Sequence, residues 1–265
     1  MSNWFVTGVS SGIGRAIAAK ALQRGDQVVG TLRRADEVAA FEALAPGRAH
    51  GVLIDVDRVQ DVPGAVEKTI RLLGGKVDIV VNNAGRSVYG AIEEVSIEEA
   101  QSIFQTNVFG VMAVTQAVLP HFRSVGGGTL INVSSGCGIY ALAGIGIYCA
   151  SKFALEGMTE ALAQEVAGQN IKVMLIEPGA IKSNFISQAT KNGARKLEVY
   201  SGITGGGKEA LGVFYDAAGL PPESVADDLF EVLDKGEAPL RVLMGSDNRA
   251  MARAKIEQLT AVAAE

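Results

Sequence analysis

The sequence predicts an α/β fold: a doubly wound parallel sheet of about seven strands with helices on both faces. Three observations carry this. Short apolar runs of strand length alternate with longer segments of helical period. The runs are continuously apolar, so both faces of the sheet should be covered. The residues suited to chemistry directly follow such runs, and right-handed crossovers would gather them along the carboxyl edge of the sheet. With 265 residues and neither linker nor repeat, the chain reads as one domain, 1–265.

The first strand is read at 4–7 and leads into a helix at 12–24, apolar at Ile13, Ile17, Ala21 and Leu22. A second strand at 27–31 is followed by a short helix at 36–44, with Asp36 as its N-cap. The third strand, 50–54, precedes a helix at 60–73 that Gly74-Gly75 ends, and the fourth strand is 78–81. Ser96 with Glu99 three residues on forms a capping box for a helix running to about 123. Strands at 129–133 and 172–176 enclose a long helix at 148–167, and 241–244 is the last strand. The segment 180–222 breaks this rhythm with Gly193, Gly202 and Gly205-Gly206-Gly207 among aromatic residues. It is expected to be a substrate lid, against a structural or oligomer-forming excursion. The tail 245–265 has helical apolar spacing at Met251, Ile256, Leu259 and Val262, and would cap a neighbouring subunit or cover its own sheet.

The composition, 48% hydrophobic and 20% charged, is that of a globular chain, and the net charge of -5 offers nothing to nucleic acid or to an anionic membrane. No run of roughly 18 uninterrupted apolar residues occurs, so no membrane span is expected. The N-terminus is already strand, which leaves no room for a signal peptide. Cys137 and Cys149 make neither a disulfide framework nor a zinc spacing. The expectation is a cytoplasmic protein without a metal.

The glycine-rich turn after the first strand runs Gly8, Val9, Ser10, Ser11, Gly12, Ile13, Gly14 and opens a helix. Such a turn lets a pyrophosphate approach the helix N-terminus, so these residues predict a dinucleotide site. NAD sites carry a carboxylate after the second strand, whereas a 2′-phosphate calls for arginine. Here the strand ends Thr31-Leu32-Arg33-Arg34, which predicts NADP(H) over NAD(H), with Arg33 the main phosphate ligand and Arg34 or Ser11 assisting. Asp55-Val56 is placed to meet the adenine, and Asn82-Asn83-Ala84-Gly85 to approach the ribose and brace the sheet.

Reduction of a carbonyl needs a proton donor beside the hydride donor. Tyr148 and Lys152 lie one helical turn apart, on one face. An ammonium there would favour the phenolate and lower the tyrosine pKa. Ser135, after the apolar strand, could donate a hydrogen bond to the substrate oxygen.

With these residues the chain resembles a single-domain short-chain dehydrogenase/reductase over nearly its whole length. The motifs are Thr7-Gly8 through Gly14, Asn82-Asn83-Ala84-Gly85, Asn107, Ser135, Tyr148 with Lys152, and Pro178-Gly179. The resemblance implies a Rossmann-like fold, Tyr148 as catalytic acid/base, Ser135 as oxyanion donor and Lys152 as the group lowering the tyrosine pKa. Asn107 would hold a water in a relay through Lys152. Ser135 is preferred to Ser134 because the family places its serine thirteen residues before the tyrosine. Pro178, Gly179 and Ile181 would meet the nicotinamide amide, with Ser183 where the family often has threonine. The end of the second strand is similar to NADP-preferring members, among them hydroxysteroid and retinol dehydrogenases and carbonyl reductases. That likeness implies a bulky apolar ketone or aldehyde.

Ser87, Val88, Gly136, Cys137, Tyr140, Phe185 and either Phe214 or Tyr215 are expected to wall the substrate, with Arg86 turned to water and Lys182 and Lys191 on the lid surface. The family pairs its long helices between subunits, which implies a homodimer or homotetramer. Three functions remain: an NADPH-dependent carbonyl reductase, an NAD(H)-dependent alcohol dehydrogenase of the same fold, or a cofactor-binding regulatory protein without chemistry. The intact Asn107, Ser135, Tyr148 and Lys152 argue against the third, since a binding module needs no proton donor.

Overall fold

Successive residues of a strand point to opposite faces, and here both sets are apolar. Trp4, Val6, Val28 and Val81 pack into one layer with Ile17, Leu22, Phe41 and Leu229. Phe5, Val29, Val80 and Leu130 pack into the other with Val66, Val114, Val118 and Phe122. The structure is a computed structural model and describes residues 1–263, the side chain of Phe214 excepted, so that candidate wall residue lies outside the described residues.

Along the chain come β1 (Asn3–Val6), α1 (Gly12–Gln23), β2 (Gln27–Leu32), α2 (Asp36–Glu42), β3 (Ala49–Leu53), α3 (Val62–Leu72), β4 (Ile79–Asn82) and β5 (Ser87–Tyr89). Then follow α4 (Ile97–Phe104), α5 (Val111–Ser124), β6 (Gly128–Val133), α6 (Gly146–Glu165), β7 (Ile171–Pro178) and β8 (Thr190–Asn192). The last elements are α7 (Ser201–Thr204), α8 (Gly207–Ala218), α9 (Pro222–Asp234), β9 (Arg241–Met244) and α10 (Ser246–Ala263). Seven strands form the main parallel sheet in the order β3-β2-β1-β4-β6-β7-β9. The winding reverses between β1 and β4, and a ligand crevice opens at such a point.

Ser96 caps α4 as expected: its hydroxyl accepts from the Glu99 amide at 3.2 Å, and the Glu99 carboxylate accepts from the Ser96 amide at 2.9 Å. The predicted single helix is α4 and α5 joined by a π-helical turn, Gln105–Gly110, that contains Asn107. Such insertions occur often at functional sites. The combined helix Ile97–Ser124 is long and apolar enough to cross a membrane by composition. Val114, Val118 and Phe122 bury its inner face under the sheet, which makes it a core helix.

Two readings need correction. Asp36 is the first residue of α2 rather than its cap, because its carboxylate is drawn back to Arg34. α9 answers no sequence expectation. Its Phe230 stacks on Trp4 at 5.1 Å, and Asp234 pairs with Arg24, the residue that follows α1, at 2.6 Å. The excursion 180–222 is structured: β8 pairs in parallel with β5 as a second, two-stranded sheet, and Ile181 bridges to Leu220 where the segment returns.

Candidate active site

A cleft of about 660 Å³ runs along the carboxyl edge of the sheet. Its cofactor end is built by turns that bind one another. The Thr7 hydroxyl accepts from the amides of Asn83 and Ala84 at 2.9 and 3.0 Å, and the Asn83 side chain donates to the carbonyls of Thr7 and Gly8 at 2.9 Å each. A Cβ on Gly14 would stand 2.3 Å from the Asn83 amide nitrogen, so only glycine lets the two turns meet. Gly12 has φ +60°, a left-handed conformation that glycine adopts freely. A Cβ there would touch Ser183 at 3.4 Å, so the start of the excursion lies over this turn.

Gly8, Ser10, Ser11, Gly12 and Ile13 line the cleft, as do Arg33, Arg34, Asp55, Val56, Asn83, Ala84 and Gly85. Gly14 stands behind them, buried against Asn83. The two arginines differ. Arg34 is engaged by Asp36, whereas Arg33 is exposed and has no side-chain partner among the described residues.

At the other end the cleft gathers Ser135, Tyr148, Lys152, Pro178, Gly179, Ile181, Ser183 and Phe185. The Lys152 ammonium is buried, donates to the Val133 carbonyl at 2.8 Å and stands 5.7 Å from the centre of the Tyr148 ring. Burial pulls that lysine down to about 8, against the opposing pull of Glu156. Loss of water around the Tyr148 hydroxyl pushes it well above the ordinary tyrosine value, partly offset by a hydrogen bond with Ser135. Phe185 covers Tyr148 with its ring centre 6.0 Å away.

Asn107 is buried, and both donors of its side-chain amide are engaged. It donates to the Arg86 carbonyl at 3.0 Å and to the Ser151 hydroxyl at 2.9 Å, and accepts from the Arg86 amide at 3.0 Å. Ser151 in turn donates to the Tyr148 carbonyl at 2.7 Å, so Asn107 ties the π turn to the start of α6.

Several expected wall residues stand elsewhere. Arg86 is not solvated: its guanidinium binds Asp57 at 2.6 Å and Ser102 at 3.0 Å, because those groups rise from the helix and loop beside it. Ser87, Gly136, Cys137 and Tyr140 are not among the residues lining the cleft. Ser87 is buried in β5, and the Tyr140 hydroxyl donates to Asn248 of α10 at 2.9 Å. The two cysteines are free and buried, and their thiols hydrogen-bond each other, which pushes Cys137 up and Cys149 down. Lys191 lines the cleft rather than only the outer surface, as do Gln188 and Tyr215, while the Lys182 amide donates to the Leu220 carbonyl at 2.8 Å.

Other functional residues escaped the sequence reading. Glu94 is buried and accepts from the amides of Ala91 at 2.8 Å and Leu197 at 2.9 Å and from the Thr204 hydroxyl at 2.7 Å, fastening the excursion to the body. Those three donors hold its carboxyl below the usual glutamate range, Leu197 most strongly. Asn248 is fully buried and donates to the Glu177 carbonyl at 2.6 Å, which fastens the first turn of α10 to its own sheet. Neither residue sits in a motif. Glu94 follows Glu93 and Asn248 lies between Asp247 and Arg249, so their sequence context does not mark them.

The profile of the short chain dehydrogenase family matches residues 3–194. Over 259 residues the chain is 32% identical to Oxidoreductase BOA17 of Botryotinia fuckeliana, covering 97% of this chain and 94% of that protein. It is 34% identical over 231 residues to the NADPH-dependent 3-dehydrocapnine reductase of Ornithobacterium rhinotracheale, covering 85% and 82%. A solved short-chain dehydrogenase from Streptomyces avermitilis superposes with a TM-score of 0.90 at 35% identity, covering 98% and 94%. The chain belongs to the short chain dehydrogenase family of NAD(P)-dependent oxidoreductases.

Proposed function

We propose that this protein is an NADPH-dependent reductase of apolar or neutral ketones and aldehydes, reversible toward the alcohol, with Tyr148 as its acid/base. The observation that carries the reading is the desolvated Tyr148 hydroxyl, hydrogen-bonded with Ser135 and flanked by the buried Lys152 ammonium. The residues present fit a dinucleotide. Gly8, Gly12 and Gly14 form a cradle that a Cβ would fill, the amides of α1 open toward it, and Arg33 has its guanidinium free for a 2′-phosphate. Asp55 and Val56 would meet the adenine, and Pro178, Gly179, Ile181 and Ser183 the nicotinamide end. When bound, the nicotinamide supplies hydride to the carbonyl carbon.

Tyr148 gives its proton to the carbonyl oxygen. Because desolvation keeps it protonated at neutral pH, it is poised for reduction. Ser135 donates to the same oxygen as negative charge develops. Lys152, held by the Val133 carbonyl, keeps positive charge beside the tyrosine and would reach a ribose hydroxyl. Phe185, Tyr215 and Ala189 give the substrate side its apolar lining, and the charge of Arg86 is already matched by Asp57. The 3-dehydrocapnine reductase is by name NADPH-dependent, which supports the cofactor assignment.

A second reading, an NAD(H)-dependent alcohol dehydrogenase, is favoured by Glu37, a carboxylate on the cleft wall beside Arg33 and Arg34 that could accept ribose hydrogen bonds. Titration of the purified protein with NADPH and NADH, followed by cofactor fluorescence, decides between them. Tighter NADPH supports Arg33 as the phosphate ligand; tighter NADH moves the role to Glu37. Phe109, Met112 and Phe153, which are 46%, 39% and 42% exposed on the two long helices, support a homo-oligomer, and a monomeric mass by light scattering would remove that part of the reading.

A further inference from the structure

Beyond Lys152, one turn further along α6, stands Glu156, on the same face and 4% exposed. Its carboxylate pairs with Arg241 of β9. The same guanidinium nitrogen donates to Glu177 of β7 at 2.6 Å, while the other terminal nitrogen reaches Glu160 at the rim. Glu177 is fully buried, and Glu156 and Glu177 hydrogen-bond each other. Among the described residues, one oxygen on each carboxyl, Glu156 Oε1 and Glu177 Oε2, has no partner, and neither does the buried Ser134 hydroxyl. A Cβ on Gly138 would come within 2.7 Å of both Glu156 Oε1 and Ser134 Oγ, so that glycine keeps open a polar gap between them. Ser134 follows Val133, whose carbonyl anchors the Lys152 ammonium at 2.8 Å. The gap therefore lies just behind the lysine.

Charge balance decides what the cluster does. One guanidinium cannot neutralise two buried carboxylates and also serve Glu160, so the second buried carboxylate needs a proton or another cation. Burial first, and then the neighbouring Glu156, push the Glu177 carboxyl up to about 7, so this buried pair takes up a proton near neutral pH. The titratable groups facing Lys152 are Glu156 and Tyr148 from its own helix and Cys137 from the turn after β6. Those facing Glu156 are Lys152 and Glu160 from α6, Glu177 from β7 and Arg241 from β9.

We propose that Glu156 is a positioning residue for proton transfer: its buried carboxylate, one helical turn from Lys152 and pinned by Arg241, keeps Lys152 in its ammonium form through neutral pH. This rests on the reading of Tyr148 and Lys152 given above. Burial disfavours the charged form of the lysine, and the charge of Glu156 is the largest opposing influence on it.

The test is the pH dependence of decanal reduction by NADPH, joined to a direct NMR titration of Lys152 in protein labelled with 13Cε-lysine. In the wild type the alkaline limb should follow Lys152, near 8, because Tyr148 titrates far higher. Glu156→Gln should move both the limb and the NMR midpoint down by about one pH unit or more, the size expected on losing an opposite charge at close range. Glu156→Asp should restore most of the shift, and Glu177→Gln, whose carboxyl is not among the groups facing Lys152, should move the midpoint much less than Glu156→Gln does. A Lys152 midpoint unmoved in folded Glu156→Gln, or moved equally by Glu177→Gln, overturns the proposal. The NMR titration does not depend on turnover. If Tyr148→Phe kept full activity while the Lys152 midpoint still shifted in Glu156→Gln, the electrostatic coupling would stand and the reading of Tyr148 as acid would fall.

Discussion

The two walls of the cleft are built by different means. The cofactor wall is a set of turns that directly follow β1, β2, β3 and β4 and stitch to one another through Thr7, Asn83 and main-chain groups. Each contact there is short and backed by another, so the wall is over-determined. The substrate wall hangs on single buried side chains from remote parts of the chain. Glu94 reaches Leu197 and Thr204, 103 and 110 residues away, and Asn248 reaches Tyr140 across 108. The polar contacts of one wall are backed by one another, whereas the other concentrates its position in a few polar atoms. A family can therefore keep one cofactor while its substrate wall drifts.

The largest effect should arise at the seam between the walls, where Tyr148 serves both. Tyr148→Phe should reduce turnover by about 10²–10⁴-fold, the usual worth of a positioned acid, and leave NADPH binding close to normal. A variant that retained full turnover would place the acid elsewhere. The next effect should come from the cofactor wall. Arg33→Ala removes a charge-assisted contact worth roughly 1.5–3 kcal/mol, or about 10- to 150-fold in NADPH affinity. Arg33 is exposed, so the lower end of that range is expected, with NADH little changed. Equal weakening of both cofactors would mean that Arg33 shapes the wall rather than binding a phosphate.

The same contrast explains what could be read in advance. The seven-stranded sheet and the glycine turn were legible because strand period and turn chemistry are local properties. Ser135, Tyr148 and Lys152 were legible because one strand end and one helical turn bring them to the same edge. Arg86 was misread because its partner Asp57 lies 29 residues earlier, and no spacing rule joins a loop cation to that carboxylate. Ser87 and Tyr140 were misplaced for a related reason: β5 pairs with β8 from the excursion, and α10 claims the Tyr140 hydroxyl. Glu94, Glu156 and Asn248 carry no sequence signal at all, because a buried polar side chain shows itself only through the remote groups that satisfy it.

The smallest predicted effect on chemistry is also the sharpest probe of the substrate wall. Glu94→Gln keeps the shape of the carboxyl but removes its charge, and its three donors lose a charge-assisted acceptor. The expected result is a several-fold rise in KM for the carbonyl, little change in NADPH affinity, and protease nicking within 193–206 at neutral pH. The pH dependence should point the same way. The Glu94 carboxyl is held below its ordinary range in the folded protein, so its contribution to fastening the segment is complete above the unfolded glutamate pKa. That contribution is lost as the pH falls through the folded value. Wild-type protein should then become open to nicking in the same stretch only under acid, while Glu94→Gln should be open at both pH values. Equal resistance of the two proteins at neutral pH would show that β5–β8 pairing alone holds the substrate wall, and would make the two walls alike in their redundancy.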